Sequence, residues 1–377
     1  MKVLSLNCGS SSLRWGLFDG KTKSELDSGR LEEADDSNES WQEIMSVLAG
    51  LGPQAIGHRV VHGGERFSES ALIDEDVIAA IEASVPLAPS HNPRCLRGIR
   101  EAQKIFPDLP HVAVFDTAFH QSMPAHAYLY PIPLEFYERD RIRRYGFHGT
   151  SHRFVSERAA ELLDMSSDQW TGVTCHLGNG CSIAAVRNGR AADTSMGWTP
   201  LEGLMMGTRS GDLDPAIVLE LASRSELGVD GVLHLLNNES GLLGISGVSS
   251  DLRAVENAAE SGSTRARLAL EIFAHRVRRG IGAALGVLGG ADAIVFTGGI
   301  GEHSAAMRER IAGSLGGLGV SLDSEANADC TGRESRISLA DSKIAVFVIP
   351  SQEEWLIARE TEAIATLARS EDSSQAP

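Results

Sequence analysis

The chain has 377 residues and carries 34 Lys and Arg against 51 Asp and Glu, a formal net charge of −17. This length supports one large or two ordinary domains with a sizeable core. The acidity argues against nucleic acid or an anionic membrane as partner, and an anionic substrate requires local Arg, Lys, backbone N–H groups or a divalent metal.

In chain order, residues 2–6 and 13–18 read as strands joined by the polar loop NCGSSS, and Asp19-Gly20 closes the second with a strong turn pair. Residues 23–50 are acidic and Ser-rich, then helical from Trp41 to Leu51, without a chemical motif. The stretch GHRVVHGGE (57–65) is strand-like, and HVAVF (111–115) is a buried strand ending at Asp116. A second strand pair, 172–177 and 182–187, turns at Asn188-Gly189, a type I′ signal. A long helix is predicted over about 264–288, with Leu270, Phe273, Val277, Ile281, Ala284 and Leu288 on one face. Residues 293–297 and 343–349 are further short strands, and the polar tail from Arg369 is expected to be disordered.

The five cysteines, Cys8, Cys95, Cys175, Cys181 and Cys330, are odd in number and lack CxxC spacing, which predicts reduced thiols in a cytoplasmic protein. No signal peptide and no membrane span are predicted. Residues 3–21 and 173–190 share a plan of strand, Asn/Gly loop, strand and Asn/Asp-Gly turn, with Asn7–Gly9 at the place of Asn179–Gly180. This weak repeat suggests two related domains.

Three loops place glycines after apolar strands: NCGSSS, HLGNGCS (176–182) and GGIGEHS (298–304). Strand C-terminal ends are where open α/β sheets bind ligands, and successive backbone N–H groups can surround phosphate oxygens. Each loop alone is also explained as a tight turn; three together favour a nucleotide. A Walker A loop is excluded, because GLFDGKT (16–22) has its glycines one residue too close and lies in a hairpin. Arg209, in the Gly-rich loop MMGTRSGDLDP, suits a carboxylate or phosphoryl contact. His58, His111, His120 and His234 read as hydrogen-bonded core or turn residues. Asp116 reads as a catalytic acid or as a helix cap, and Glu353 and Glu354 as functional acids or as the start of the last helix.

The stretches NCGSSSLR, GHRVVHGGE, SHNP, VFDTAFH, RRYGFHGTSH, HLGNGCS, DTSMGWTPLEGLMMGTRSGDLDP, SGLLGISGVSSDLR, GGIGE and EEWLIAR together resemble the acetokinase family of the sugar kinase–Hsp70–actin superfold, from residue 1 to about 360. The segment 23–56 is shorter than is usual there. The resemblance implies an α/β fold of two domains with duplicated βββαβα cores, actin-like ATPase or RNase H-like, around a central cleft. One domain is 1–120 with the C-terminal helix 354–377; the other, nucleotide-binding, is 121–353. It implies a cytoplasmic homodimer that uses Mg²⁺, or Mn²⁺, to transfer the ATP γ-phosphoryl reversibly to acetate, giving acetyl phosphate and ADP. Direct in-line transfer is expected. Propionate or butyrate as acceptor is the alternative, and a non-catalytic actin-like nucleotide-binding protein a more distant one.

By motif position, Asn7 and Glu353 resemble the metal-associated residues and Arg59 the carboxylate-binding arginine. Asp116 resembles the catalytic acid, expected here to order the metal, its water or Arg209. His148 and Arg209 resemble the groups that stabilise the transition state. Val61, Ser90, Phe147 and Pro200 match the acyl pocket. Ser10, Ser12 and Arg14 match phosphate contacts. The remaining ATP-contacting matches are His176, Leu177, Gly178, Asn179 and Gly180, then Asp251, Leu252 and Arg253, then Gly299, Ile300, Gly301, Glu302 and His303. Four positions depart from the family's pattern: Arg14 for Lys, Ser90 for Leu, Gln352 for Asn and His303 for Asn. The smaller, polar Ser90 would admit a longer acyl chain or weaken acetate binding.

Overall fold

The structure is a computed structural model that describes residues 1–8, 12–32, 38–89, 91–224 and 226–374. It holds two six-stranded mixed sheets. The first contains β1 (Lys2–Cys8), β2 (Ser12–Asp19), β3 (Ser24–Glu32), β4 (Ala55–Val60), β5 (Ala71–Leu72) and β6 (His111–Phe115). The second contains β7 (Gly172–Leu177), β8 (Cys181–Arg187), β9 (Arg190–Thr194), β10 (Ala293–Thr297), β11 (Ser335–Arg336) and β12 (Ala345–Val348).

The spatial orders are β3-β2-β1-β4-β6-β5 and β11-β12-β10-β7-β8-β9. Each sheet begins as an antiparallel meander of three strands. Two parallel strands follow beside the first of them, and a short antiparallel strand closes the edge. The weak sequence repeat is therefore a duplicated α/β topology. The two asparagines, however, do not occupy equivalent places. Asn7 lies in the ladder opposite Arg14, a level held in the second sheet by His176 opposite Ser182, while Asn179 sits in the turn itself.

The chain divides into two compact units, one of residues Met1–Gln121, Phe147–Thr150 and the segment from Gln352 onward, the other of Ser122–Gly146 and Ser151–Ser351. In the first unit, strand alternation separates two cores. Leu4, Leu6, Leu13 and Ile56 pack with Trp41 and Leu48 of the helix Asn38–Ala49. On the other face, Val3, Phe18 and Ala55 pack on Ala358 and Ala365 of the final helix, Glu353–Ser374, and Val112 and Val114 on its Ile357. That helix lies close: a Cβ at Gly57 would fall 2.2 Å from Thr361 Oγ1.

Two elements differ from the sequence expectations. β3 forms where residues 24–32 looked merely acidic and Ser-rich, because an edge strand needs no apolar alternation. The polar tail continues the last helix to Ser374, with Arg369 Nη2 donating to the Gln54 carbonyl at 2.9 Å. Asn188 and Gly189 both have positive φ, +52° and +71°, as a type I′ turn requires. The long helix spans Thr264–Leu288 and buries Leu270, Phe273, Val277, Ile281 and Ala284. All five cysteines are free and buried. Among the described residues no helix is long and apolar enough to cross a membrane.

Candidate active site

In the first unit, one sheet face gathers three of the predicted residues at the C-terminal ends of adjacent parallel strands. Asn7 follows Val3 and Ser5 on β1, Arg59 follows Ala55 and Gly57 on β4, and Asp116 follows Val112 and Val114 past the end of β6; each series keeps the strand period of two, on the face beneath the final helix.

Arg59 Nε donates to both Asp116 oxygens at 3.0 and 3.1 Å, and its Nη2 donates to Oδ2 at 2.5 Å. Its Nη1 donates to Asn7 Oδ1 at 3.0 Å. Burial opposes the arginine's charge, but Asp116 and Glu353 outweigh it and raise the Arg59 pKa. A guanidinium has five N–H groups. One on Nη1 and one on Nη2 therefore have no partner among the described residues, and such a fork suits a carboxylate. Asp116 accepts hydrogen bonds from Arg59 and from Thr150.

The final helix begins at Glu353 and Glu354 beside this cluster. Asn7 Nδ2 donates to Glu354 Oε1 at 3.4 Å. Burial pushes the Glu353 carboxyl up to about 7; Arg59 opposes this, Asp116 and Glu354 add to it, and Arg14 opposes it. Arg14 is exposed on β2 opposite Asn7. Among the described residues no group of three or more His, Cys, Asp or Glu is arranged to hold a metal ion. Mg²⁺ does not need one, since it binds through one or two carboxylates together with substrate phosphates. The desolvated Glu353 carboxyl and the amide oxygen of Asn7 are oxygen donors of the type such an ion takes.

His148 has φ +56°, the left-handed region that a non-glycine residue enters at some cost, and it immediately precedes the helix Gly149–Leu162. Phe147 and Val61 are buried, at 1% and 4% exposure. The Phe147 ring meets that of His62 edge-on at 5.5 Å, and the Phe147 carbonyl accepts from His120 Nε2 at 2.9 Å. Ser90 and Ser10 lie outside the described residues; Ser12 opens β2. His58 donates to His111, which donates to the Phe106 carbonyl, each at 3.0 Å, so these two histidines are core groups. His234 differs from expectation: it is exposed on the helix Gly228–Asn238 and pairs with Glu239.

In the second unit, Arg209 is partly buried, and burial lowers its pKa. Its Nη1 donates to the Pro200 carbonyl at 3.2 Å and reaches Met206 Sδ at 3.7 Å. It has no carboxylate partner among the described residues. Its loop is docked on the turn after β7: Gly207 N donates to the Asn179 carbonyl at 3.0 Å, and a Cβ at Gly207 would fall 2.1 Å from Asn179 Oδ1. A partly buried cation with no carboxylate partner among the described residues, in a Gly-rich loop tied to a strand-end turn, is equipped to receive an anion.

A cavity of about 440 Å³ brings the three predicted nucleotide stretches together. Gly178 and Asn179, Asp251 to Arg253, and Gly299, Ile300 and His303 line it. Its volume lies within the roughly 300–1,000 Å³ of small-molecule sites. His176, Leu177, Gly180, Gly301 and Glu302 do not line it. His176 instead bonds Ser151 Oγ at 2.8 Å, and Glu302 Oε1 accepts from the backbone N of Gly298 and Ser351 at 2.8 and 3.0 Å. The other end of the helix Gly298–His303 is held by Arg308, fully buried, which donates to the Gly301 and Glu302 carbonyls at 2.9 and 3.0 Å. Gly298 has φ +77°, and a Cβ there would lie 2.8 Å from the Leu177 carbonyl oxygen. Gly298→Ala is expected to destabilise the chain by about 1–3 kcal/mol, a change that urea unfolding measures.

Sequence reading missed several residues of these sites. Ser250, Glu256 and Ser304 also line the cavity, and the Ser304 hydroxyl donates to Glu256 at 2.8 Å. Ser304 was open to a search for helix caps, since it accepts from Met307 N. Thr150 and Arg308 carry no local signal of their contacts.

A sequence profile of the Acetokinase family matches residues 42–359. Over 395 residues the chain is 48% identical to an acetate kinase of Pseudothermotoga lettingae, covering 97% of each protein. It is 49% identical over 396 residues to an acetate kinase of Halothermothrix orenii, covering 97% of this chain and 99% of that one. The crystal structure of Porphyromonas gingivalis acetate kinase superposes with a TM-score of 0.91 at 42% identity, covering 96% of this chain and 99% of that one. A propionate kinase from Francisella tularensis gives 0.88 at 42% identity with the same coverage. Matched over residues 42–359 by the profile and along nearly its whole length by these relatives, the chain belongs to the acetokinase family.

Proposed function

We infer that this protein is an acetate kinase, transferring the γ-phosphoryl of ATP reversibly to acetate to give acetyl phosphate and ADP. One observation carries the reading: in a chain 48% identical to an acetate kinase over its length, Arg59 is held by Asp116 and Asn7 with two N–H groups that no described residue takes.

Acetate is already ionised at neutral pH, so its oxygen needs no general base. The obstacle is repulsion between two anions, and catalysis is mostly positioning and charge stabilisation. Arg59 binds the acetate carboxylate, and Asp116 aims Arg59. Arg209 and His148 offset the charge on the transferring phosphoryl, and transfer is direct and in line. Val61, Phe147 and Pro200 receive the acyl methyl. The cavity lined by Gly178, Asp251 to Arg253, Gly299 and His303 takes the adenosine, and Arg14 the phosphates. Asn7 and Glu353 would hold Mg²⁺, which would supply neutralisation of the phosphate oxygens.

Holding a cation requires the ionised form of Glu353. Because its carboxyl is pushed up to about 7, the apparent affinity for Mg²⁺ is expected to fall as pH drops from 8 to 6. Without metal, the stability linkage runs the opposite way with pH. A carboxyl raised above its ordinary 4.5 contributes stability that is fully present below that value and is lost as pH rises through about 7. Magnesium titrations of activity at the two pH values, with Glu353→Gln alongside, measure the effect; the variant should abolish most of the pH dependence.

The overall likeness is equal in identity, 42%, to an acetate kinase and to a propionate kinase, so propionate is the second acceptor to be tested. The protein is a homodimer in this reading. Leu219 on the helix Pro215–Ala222 is 72% exposed and Val229 on the helix Gly228–Asn238 is 75% exposed, an apolar surface that a second copy would cover. Five free buried thiols suit a reducing, cytoplasmic setting. ATP formation from ADP and acetyl phosphate, followed by luminescence with Mg²⁺, tests the activity: ATP made in proportion to enzyme supports it, and none opposes it.

A further inference from the structure

We propose that Thr150 is a positioning residue for the phosphoryl acceptor: its hydroxyl fixes the Asp116 carboxylate, and through it the Arg59 fork. The inference rests on the reading of Arg59 as the acetate-binding group.

A threonine hydroxyl in the first turn of a helix ordinarily bonds to nearby backbone. That of Thr150 instead leaves its helix and donates to Asp116 Oδ1 at 3.1 Å, across 34 residues of sequence. The same turn grips the main chain of Asp116, since Gly149 N donates to the Asp116 carbonyl at 3.0 Å. That approach needs glycine, because a Cβ at position 149 would lie 2.0 Å from that oxygen. Thr150 and Asp116 are 3% and 1% exposed, so water does not replace a lost partner. Oδ1 is also one of the two oxygens that share Arg59 Nε, at 3.0 Å. With Thr150 on one side and Arg59 on the other, the carboxylate cannot rotate about its Cβ–Cγ bond without breaking a buried hydrogen bond. The guanidinium plane, and the two N–H groups left for acetate, are set by that orientation.

The test uses the full chain with Thr150→Val, which keeps the shape and removes the donor, Thr150→Ser, which keeps the donor, and Thr150→Ala in case the valine variant does not fold. Steady-state kinetics with acetate and with ATP are measured for each, with thermal unfolding alongside. The expected result is a roughly ten- to hundredfold fall in kcat/KM for acetate in Thr150→Val and Thr150→Ala, with the KM for ATP unchanged within about twofold. Thr150→Ser should recover to within about threefold of the parent. Parent-like acetate kinetics in the folded valine or alanine variant would overturn the inference, whatever the change in melting temperature. So would equal losses in the acetate and ATP parameters, which mark a merely structural role. Asp116→Asn is run as the control on the underlying reading. If it alone keeps parent activity, the assignment of Asp116 and Arg59 fails, a result distinct from failure of Thr150.

Discussion

Arg209→Met lowers kcat/KM for acetyl phosphate formation by about 10³-fold or more and leaves the protein at least as stable as its parent. The rate effect follows from charge. An arginine set against a transferring phosphoryl contributes about 10³–10⁵ in rate, and methionine keeps an unbranched apolar stem but supplies no charge and no donor. The stability effect follows from the surroundings. Arg209 is partly buried, burial lowers its pKa, and among the described residues its hydrogen-bond partners are one carbonyl and one thioether. A cation held without a counter-ion costs desolvation energy in the resting protein, and an apolar replacement removes the cost. Activity and stability thus move in opposite directions. Thermal unfolding with steady-state kinetics resolves the two; a destabilised variant with normal turnover would assign Arg209 to the framework.

Asp116→Asn is expected to reduce both quantities. Removing one partner of a buried pair leaves the other charge uncompensated, at a cost of about 3–5 kcal/mol. Arg59 and Asp116 are such a pair, with side-chain exposures of 14% and 1%. The amide accepts through one oxygen, so Arg59 loses its two-oxygen anchor and kcat/KM for acetate falls by about 10²-fold or more. Arg59→Met combined with Asp116→Asn should cost clearly less stability than the sum of the single changes, because no unpaired charge remains. An additive cycle would show that the pair does not act as one unit.

Much of the first site is written in strand alternation. Val3, Ser5 and Asn7; Ala55, Gly57 and Arg59; Val112, Val114 and Asp116 each carry a chemical group to the end of an apolar series. The order β1-β4-β6, which makes the three ends neighbours, comes from pairings between strands about 50 residues apart. Local pattern does not specify it. The same limit hid Thr150, whose helix start looks ordinary until the fold brings Asp116 to it.

The third strand of each meander was hard to read for another reason. SELDSGRLE and RAADT lack an unbroken apolar face, and β3 gains its place only by pairing with β2. The asparagine offset between the two loops shows that a repeat can be legible as topology while its residue equivalences are not. Length and face-to-face spacing made the helix Thr264–Leu288 legible, because its buried residues recur at helical intervals.

The most direct test of the account is kcat/KM for acetate, propionate and butyrate, measured with ATP and Mg²⁺ by trapping the acyl phosphate as hydroxamate. The account predicts saturable, Mg²⁺-dependent acyl phosphate formation, with acetate giving the highest kcat/KM. Higher kcat/KM for propionate or butyrate would contradict the assignment of acetate, and no acyl phosphate from any of the three would contradict the enzyme itself.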